Sequence, residues 1–234
     1  MPDAPPARPS RAPAPRAPSW RPDGPSASDA PPPRAYRAML KRAADVAAVL
    51  LAAPVALPLV GVLAGLVMLE GAAPFYAQRR IGRNGAPFRM WKLRSMVPDA
   101  DARLEAHLAA NPDARAEWDR HQKLRDDPRI TPLGRLIRRT SLDELPQLWN
   151  VLVGDMSLVG PRPMMEGQRA LYPGRDYYRL RPGLTGTWQV SDRHASDFAD
   201  RAGFDRAYDA DLSLGRDARI IAKTFEVVLR ATGR

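Results

Sequence analysis

Two adjacent carboxylates, Asp143 and Glu144, follow the basic run RLIRRT at residues 135–140. Paired carboxylates among cations suit metal-assisted phosphoryl transfer, in which an aspartate attacks phosphorus to form an acyl phosphate while Mg²⁺ screens the charges. A structural interpretation is also open, because residues 141–144 (SLDE) fit a helix capping box, and Asp143 as N-cap would leave Pro146 within the first turn. Capping by Asp143 is compatible with a chemical role for its carboxylate, so we expect Asp143 to cap a helix and leave the chemical role open at this point.

Five cations from separate stretches of the chain accompany the carboxylates: Lys92, Arg94, Arg138, Arg139 and Arg162. Arginine forks match phosphate oxygens, and this number of cations favours a diphosphate over a single carboxylate ligand. Each side chain taken alone is more typical of a solvated surface charge, so the prediction requires that the fold bring them together. We expect the cations and the helix dipole to keep Asp143 ionised.

The composition argues against several other chemistries. The 234-residue chain has no cysteine, which removes disulfides, thiolate metal sites and cysteine nucleophiles. Its three histidines, His107, His121 and His194, are widely spaced, which argues against a zinc site or a Ser-His-Asp triad. A formal net charge of +10 and a pI near 10.6 indicate an anionic partner. Charge alone does not choose among nucleic acid, phospholipid and a phosphorylated substrate.

The N-terminal part of the chain contains a long apolar segment that could attach the candidate site to a membrane. Residues 1–34 hold 12 of the 25 prolines and few apolar side chains, so we predict a disordered Pro/Ala-rich tail. Residues 46–69, VAAVLLAAPVALPLVGVLAGLVML, contain no charge. Roughly 20 apolar residues cross a bilayer core, so this segment is long enough to insert. The sequence therefore predicts a membrane segment directly before the part of the chain that carries the candidate site.

Two prolines and two basic flanks bear on how this segment inserts. Pro54 and Pro58 lie near its middle, where each removes a backbone hydrogen bond and bends a helix. We predict a re-entrant hairpin of two half-helices over residues 35–72, bent near Pro58, with both ends in the cytoplasm. The alternative is a true single span, which places residues 1–44 outside the cytoplasm. The positive-inside rule favours the hairpin, since basic residues occur on both sides: Arg34, Arg37, Lys41 and Arg42, then Arg79, Arg80, Arg83, Arg89, Lys92 and Arg94.

Residues 73–234 are predicted to form a cytoplasmic, mainly helical α+β domain. Asn84-Gly85 is a tight-turn signal between two short apolar and aromatic runs, which predicts a small β-hairpin at the membrane surface. Thr131 and Pro132 are typical of a helix N-terminus. Further predictions are helical structure in residues 99–124, a helix ending near Gly154, an amphipathic helix at 217–231 that lies on lipid, and loops at 158–164 and 180–190.

Three stretches of the chain resemble the bacterial sugar transferase family: residues 79–96, 129–163 and 181–190. The resemblance covers about residues 37–231. The family comprises monotopic, membrane-associated phosphoglycosyl transferases that begin exopolysaccharide and O-antigen assembly at the cytoplasmic face of the bacterial inner membrane. The resemblance implies that a UDP-sugar donates sugar-1-phosphate to undecaprenyl phosphate with release of UMP. It also implies a phosphosugar–enzyme intermediate and a requirement for Mg²⁺.

The resemblance also assigns roles to individual positions. It implies that Asp143 is the nucleophile and Glu144 its acidic partner, and that both are candidate Mg²⁺ ligands. Two departures from the family pattern affect membrane contact. Leu57 replaces the usual serine before the helix-breaking proline and Pro54 adds a second break, while Gly and Arg at positions 215 and 216 replace large apolar residues. The remaining assignments are substrate phosphate binding by Arg138, Arg162, Lys92 and Arg94, and the helix break at Pro58.

The main alternative function is a non-enzymatic, basic adaptor at the membrane surface that binds anionic lipid or nucleic acid. Such an adaptor explains the charge and the apolar segment and leaves the carboxylate pair without a role. Aromatic residues make up only 7% of the chain, which argues against binding to single-stranded nucleic acid. We therefore expect no nucleic-acid partner. The C-terminal part resembles family members that use plain hexoses, which implies a plain hexose here. The sequence does not identify the sugar or decide whether the chain forms a homodimer.

Overall fold

The computed structural model describes residues 36, 40–121, 124–191 and 197–229. The predicted disordered tail at residues 1–34 and His194 lie outside these residues. The described chain is mainly helical with two small sheets, which confirms the predicted mainly helical α+β class. Its elements are α1 (Lys41–Leu69), β1 (Phe75–Ile81), β2 (Pro87–Leu93), α2 (Ala100–Ala110), α3 (Pro112–His121), α4 (Pro132–Arg139), α5 (Gln147–Val153), β3 (Ser157–Val159), α6 (Asp176–Arg179), β4 (Gly183–Thr185), α7 (Arg201–Ala210) and α8 (Leu214–Leu229).

Strands β1 and β2 form the predicted antiparallel hairpin, with Arg80 opposite Phe88. Asn84 and Gly85 turn the chain with φ of 59° and 78°, a left-handed conformation that these two residue types tolerate best. Side chains alternate between the two faces of a strand, and directly opposed residues share a face. Arg80 and Lys92 therefore point to the same face as the buried Phe88 and Met90.

Helices α4 and α5 are joined by a short turn that carries the carboxylate pair. Helix α4 begins as predicted, since the Thr131 hydroxyl accepts a 2.8 Å hydrogen bond from the Gly134 amide and Pro132 is the first helical residue. The capping predictions for residues 141–144 are wrong. Ser141 has φ of 58° and, within the described chain, makes no capping hydrogen bond, while Leu142–Glu144 is a 3-10 turn. The N-cap of α5 is Pro146, so Asp143 does not cap that helix.

Strands β3 and β4 form a second, parallel sheet with Ser157 opposite Gly183. All of β4 and two of the three residues of β3 lie in segments that the sequence predicted to be loops, so that part of the prediction is wrong. Each strand has only three residues, too few to show an alternating pattern. A Cβ atom on Gly160 would lie 2.3 Å from the Arg181 carbonyl oxygen. Glycine is therefore required where the chain after β3 passes close to β4.

Helix α1 is a single helix that includes both Pro54 and Pro58, and it is long and apolar enough to cross a membrane. Both of its ends pack on the same domain. Val49 packs in a cluster with Met90 of β2 and Val151 of α5. Leu63 packs in another cluster with Leu93 of β2 and Ile137 of α4. The stretch between these contacts exposes large apolar side chains, among them Leu51, Val55 and Leu57.

Buried polar contacts lock the N-terminal end of α1 to the rest of the domain. Lys41 forms ion pairs with Asp45 at 3.1 Å and with Asp217 of α8 at 2.8 Å. The Ser157 hydroxyl donates a 2.6 Å hydrogen bond to Asp45, and the Tyr208 hydroxyl donates one to Asp217. Because an unpaired buried charge is costly, these contacts specify where α1 leaves the domain.

Helix α7 carries a buried carboxyl, Asp205, which accepts a 2.9 Å hydrogen bond from the Tyr172 hydroxyl. Burial raises the pKa of Asp205 to about 7. An unfolded aspartate has a pKa of about 3.9, so the folded protein binds a proton between these two values that the unfolded chain has lost. The contribution of Asp205 to stability therefore falls as the pH rises from about 4 to about 7.

We expect Asp205→Asn to flatten the decrease in thermal stability between about pH 4 and about pH 7, because asparagine keeps an acceptor for Tyr172 and carries no charge. The measurement is the unfolding temperature of the purified protein in detergent at a series of pH values. Asp119→Asn on the exposed side of α3 is the control and should leave the profile unchanged. Parallel profiles for Asp205→Asn and wild type would contradict the assigned pKa.

Candidate active site

The carboxylate pair lies against the hairpin and faces its single lysine, Lys92. Asp143 is 8% exposed, and Glu144 follows it in the same 3-10 turn. The ammonium of Lys92 on β2 lies 2.7 Å from Glu144 Oε1 and 3.5 Å from Asp143 Oδ2. One lysine thus partly neutralises two adjacent carboxylates, and it orients both side chains toward the same space.

Asn150 on α5 fixes the position of strand β2 relative to α5 and the turn before it. Its Oδ1 accepts a 3.0 Å hydrogen bond from the Trp91 amide, and its Nδ2 donates a 2.7 Å hydrogen bond to the Arg89 carbonyl. Asn150 is 1% exposed, and both bonds are partly buried. Because Trp91 precedes Lys92 on β2, these bonds fix the position of Lys92 relative to the turn that carries Asp143.

The electrostatic environment of Asp143 differs from the expected one. Burial raises the pKa of Asp143 above its ordinary value, and the neighbouring Glu144 carboxylate raises it further. Lys92 and Arg138 oppose this increase in pKa without cancelling it. That Asp143 is ionised stays a prediction, and the loss of solvent around the side chain is a contribution that the sequence-based expectation left out. A buried carboxylate that few water molecules solvate is also a better nucleophile once ionised.

A cleft opens beside the carboxylate pair, with a volume of about 40 Å³. Strand β2, the turn before α5 and the loops that follow β3 and β4 contribute to its walls. The Ile81 amide donates a 3.0 Å hydrogen bond to the Met164 carbonyl, which ties the loop after β3 to the hairpin. The side chains that give the cleft its chemistry are Arg80, Lys92, Glu144, Gln147, Arg162 and Gln189.

Three guanidinium groups concentrate positive charge at this cleft. Burial and the neighbouring Arg162 lower the pKa of Arg80. Burial, followed by Arg162, lowers the pKa of Arg201 to about 10. The guanidinium carbons of Arg162 and Arg201 lie 5.7 Å and 4.1 Å from the centre of the Trp188 ring, which holds them in place. Mutual repulsion among these half-buried arginines is relieved by an anion, so the cleft is suited to phosphate.

The structure brings together Lys92, Asp143, Glu144 and Arg162 of the predicted site. Arg138 lies at the end of α4, and its charge acts on Asp143. The other predicted residues lie elsewhere. The Arg94 guanidinium donates a 2.9 Å hydrogen bond to the Ala73 carbonyl at the base of the hairpin, Arg139 is exposed, and Pro54 and Pro58 lie within α1.

Sequence reasoning missed four residues of this region. Sequence reasoning treated Arg80 only as part of a basic flank. In the hairpin it lies opposite Phe88 and so shares a strand face with Phe88 and Lys92. Gln147 follows Glu144 by three residues, a spacing that places two side chains on one side of a turn. Gln189 and Arg201 gave no sequence signal, because both come from segments whose path depends on the whole domain.

The carboxylate pair fits Mg²⁺ in one specific way. Mg²⁺ takes oxygen ligands, and in phosphoryl-transfer sites it is held by one or two carboxylates together with substrate phosphates. Asp143 and Glu144 are such carboxylates at the edge of the cleft. Across the residues that the structure describes, no group of three or more His, Cys, Asp or Glu side chains could hold a metal ion. The donor set therefore suits Mg²⁺ when substrate oxygens complete its coordination.

The fold and the site together define a mainly helical α+β domain that combines one strongly apolar helix with an acidic pair facing an arginine-rich cleft. A family model described as bacterial sugar transferase matches residues 36–231. The chain therefore belongs to the bacterial sugar transferase family, as its motifs predicted.

Named relatives extend the comparison. The chain is 47% identical over 196 residues to a UDP-galactose-lipid carrier transferase of Erwinia amylovora. It is 46% identical over 196 residues to an undecaprenyl-phosphate galactose phosphotransferase of Salmonella typhimurium. Each match covers 83% of this chain and 41% of the relative, so the chain corresponds to less than half the length of these two proteins. The exopolysaccharide production protein ExoY of Rhizobium meliloti is 45% identical over 202 residues, which cover 83% of this chain and 88% of that protein.

Proposed function

We propose that this protein transfers sugar-1-phosphate from a UDP-sugar to undecaprenyl phosphate as the first membrane step of exopolysaccharide or O-antigen synthesis. The observation that carries the proposal is the buried Asp143 and the half-buried Glu144 beside a cleft lined by Arg80 and Arg162. The names of the relatives, two of which act on galactose and a lipid carrier, support the same chemistry. Plain hexoses are the proposed sugars.

The reaction proceeds in two displacements at the same phosphorus atom. A carboxylate oxygen of Asp143 attacks the phosphorus that bears the sugar, and the bond from that phosphorus to the bridging oxygen of the diphosphate breaks. UMP leaves with the bonding electrons, and sugar phosphate stays on Asp143 as an acyl phosphate. A phosphate oxygen of undecaprenyl phosphate then attacks the same phosphorus, and Asp143 leaves as a carboxylate. The product is undecaprenyl diphosphate sugar.

The surrounding side chains make this displacement possible between anions. Arg162 and Arg80 bind the diphosphate oxygens and reduce their repulsion of the Asp143 carboxylate. Lys92 holds Asp143 and Glu144 in position and offsets their charge before substrate arrives. Glu144, together with Asp143 and the diphosphate, would hold Mg²⁺, which supplies charge neutralisation at the phosphoryl group when bound. We propose that Arg138 and Arg94 extend the phosphate-binding surface beyond the cleft.

Residues 46–69 are proposed to enter the cytoplasmic leaflet of the inner membrane and return. Val49 and Leu63 both pack on the catalytic domain, and both of their clusters include residues of β2. The stretch between them, residues 50–62, rises only about 20 Å at 1.5 Å per residue, whereas the hydrocarbon core is about 30 Å thick. Two contacts with one domain over so short a distance favour a re-entrant segment over a span.

Single cysteines test this topology in a chain that has none of its own. We expect Ser26→Cys in the N-terminal tail and Asp119→Cys on α3 both to resist a membrane-impermeant maleimide in intact cells. Both should react after the membrane is permeabilised. Tyr36 is buried, so a cysteine at that position would be a poor reporter. Labelling of Ser26→Cys in intact cells would contradict the re-entrant proposal and support a single span.

Incorporation of radiolabel tests the proposed activity directly. Purified protein in vesicles, given undecaprenyl phosphate, Mg²⁺ and UDP-hexose labelled in the sugar, should move label into the organic extract and release UMP in equal amounts. The product should be a lipid diphosphate sugar, and EDTA should stop its formation. A basic adaptor would bind the vesicles and leave the label in the aqueous phase. That result, with UDP-glucose and UDP-galactose alike, would refute the proposal.

A further inference from the structure

Two glutamines that line the cleft each have a buried side-chain amide atom without a partner among the described residues. Gln147 Nε2 and Gln189 Oε1 have no hydrogen-bond partner among the described residues. Both residues line the cleft together with Glu144 and Arg162. Buried side-chain atoms without partners are rare in folded proteins, because such atoms have lost their hydrogen bonds to water. A ligand in the cleft that supplies both partners accounts for the pair.

Gln147 Nε2 donates hydrogen bonds and Gln189 Oε1 accepts them, and this difference restricts the chemical groups that could bind both atoms. Arg80, Lys92 and Arg162 only donate hydrogen bonds, so they match phosphate oxygens. Gln189 Oε1 only accepts, and an ionised phosphate oxygen cannot donate to it. A hydroxyl group can do both, because it donates one hydrogen bond and accepts others. It can donate to Gln189 Oε1 and accept from Gln147 Nε2 at the same time.

Both amides are held in place before any ligand arrives. Gln147 is 2% exposed and begins α5, which Asn150 fixes to β2. Gln189 lies in a turn that the Val190 amide closes with a 3.2 Å hydrogen bond to the Gly186 carbonyl. A Cβ atom on Gly186 would lie 2.9 Å from Gln189 Oε1, so glycine leaves room for the amide at this position.

The size of the cleft indicates which part of the donor enters it. A volume of about 40 Å³ has room for roughly three water molecules at 10–15 Å³ each, much less than a nucleotide sugar needs. Glu144 lines the cleft and directly follows Asp143, so the part of the donor placed here is the one close to the attacked phosphorus. In a UDP-sugar the attacked phosphorus is joined through one oxygen to C1, and the hydroxyl closest to it along the sugar is the one on C2.

We propose that Gln147 and Gln189 bind the C2 hydroxyl of the donor sugar and so select plain hexoses over sugars that lack or replace this group. The inference rests on the proposed function and adds specificity to it. A donor without the hydroxyl leaves both amides unpaired, which should lower the efficiency of the first displacement roughly ten- to hundredfold.

Paired donors and matched variants test this inference. The measurement is UMP release in the absence of lipid acceptor, with UDP-glucose, UDP-galactose and the 2-deoxy analogue of each. Wild type should prefer the hexose over its 2-deoxy analogue by about ten- to hundredfold. Gln189→Met and Gln147→Met should each lose activity with the hexose and keep the wild-type rate with the deoxy donor. Gln168→Met, whose amide caps Met165 outside the cleft, is the control and should match wild type.

Several results would overturn the inference. Equal losses with hexose and deoxy donors would assign the two glutamines a structural role. An undiminished preference for the hexose in both variants would show that other residues recognise the hydroxyl. Faster UMP release from UDP-N-acetylglucosamine than from the hexoses would show that the pair binds an acetamide. UMP release from no sugar nucleotide with wild type would instead refute the proposed function, and the inference with it.

Discussion

Asp143→Asn is expected to abolish the covalent adduct and to lower turnover about a thousandfold or more. Asparagine has nearly the same shape and lacks the anionic oxygen that attacks phosphorus. The substitution should destabilise the fold little. It weakens the contact between Asp143 and Lys92, whose atoms are 3.5 Å apart, while the closer 2.7 Å ion pair between Lys92 and Glu144 remains. Intact-protein mass after mixing with UDP-hexose and Mg²⁺ measures the adduct, and no lipid acceptor is needed for that half of the reaction.

Glu144→Gln is expected to be severely impaired as well, since it removes the carboxylate closest to Lys92 and one candidate Mg²⁺ ligand. Asp119→Asn, which changes an exposed carboxylate on α3 in the same way, should keep both adduct and turnover. If Asp143→Asn turned over substrate at nearly the wild-type rate, the two carboxylates would have only a structural role, which is to hold Lys92 in place. An adduct that still forms in Asp143→Asn would place the nucleophile elsewhere.

Arg162→Ala is expected to lower kcat/KM for the UDP-sugar about ten- to hundredfold, because a charge-assisted hydrogen bond contributes about 1.5–3 kcal/mol. Arg162 lines the cleft, and its charge lowers the pKa of both Arg80 and Arg201. Removing it relieves that repulsion, so the remaining arginines partly compensate. We expect Arg138→Ala to weaken use of the UDP-sugar as well. Steady-state kinetics of UMP release measure both effects.

The hairpin offers a matched control for the cleft arginines. Arg79 precedes Arg80 on β1 and points to the opposite face, where it pairs with Glu166 and is 69% exposed. Arg79→Ala should leave kcat/KM unchanged, while membrane insertion and unfolding temperature should stay the same in both Arg79→Ala and Arg162→Ala. Full activity in Arg162→Ala and Arg138→Ala would show that both arginines are solvated surface charges.

Local chemistry was sufficient for several elements. The hairpin follows from Asn84-Gly85, since these residue types accept positive φ at low cost. The start of α4 follows from Thr131 and Pro132, whose roles involve only the next three residues. The apolar stretch at residues 46–69 follows from composition, and the family follows from motifs in the right order. Each of these signals acts within one segment of the chain.

Only the tertiary structure decided how distant segments meet. Lys92 on β2 reaches Glu144 in the turn before α5, and Arg80 on β1 lies close enough to Arg162 of the loop after β3 to feel its charge. Both contacts depend on the packing of the hairpin against α5 and against that loop. The short strands β3 and β4 stabilise each other across the chain and have no local pattern of their own. A linear sequence carries no distance between such segments, so neither contact could be derived from residue types alone.

The pKa of Asp143, the proposed nucleophile, also depends on how these segments pack. The sequence determined that Asp143 stands among cations, and it predicted an ionised carboxylate on that basis. The fold also buries Asp143, and the loss of solvent raises its pKa despite Lys92 and Arg138. Gln147 and Gln189 likewise acquire a shared role only where folding removes water from both amides. Charge is a property of residue type, whereas desolvation is a property of the packed structure.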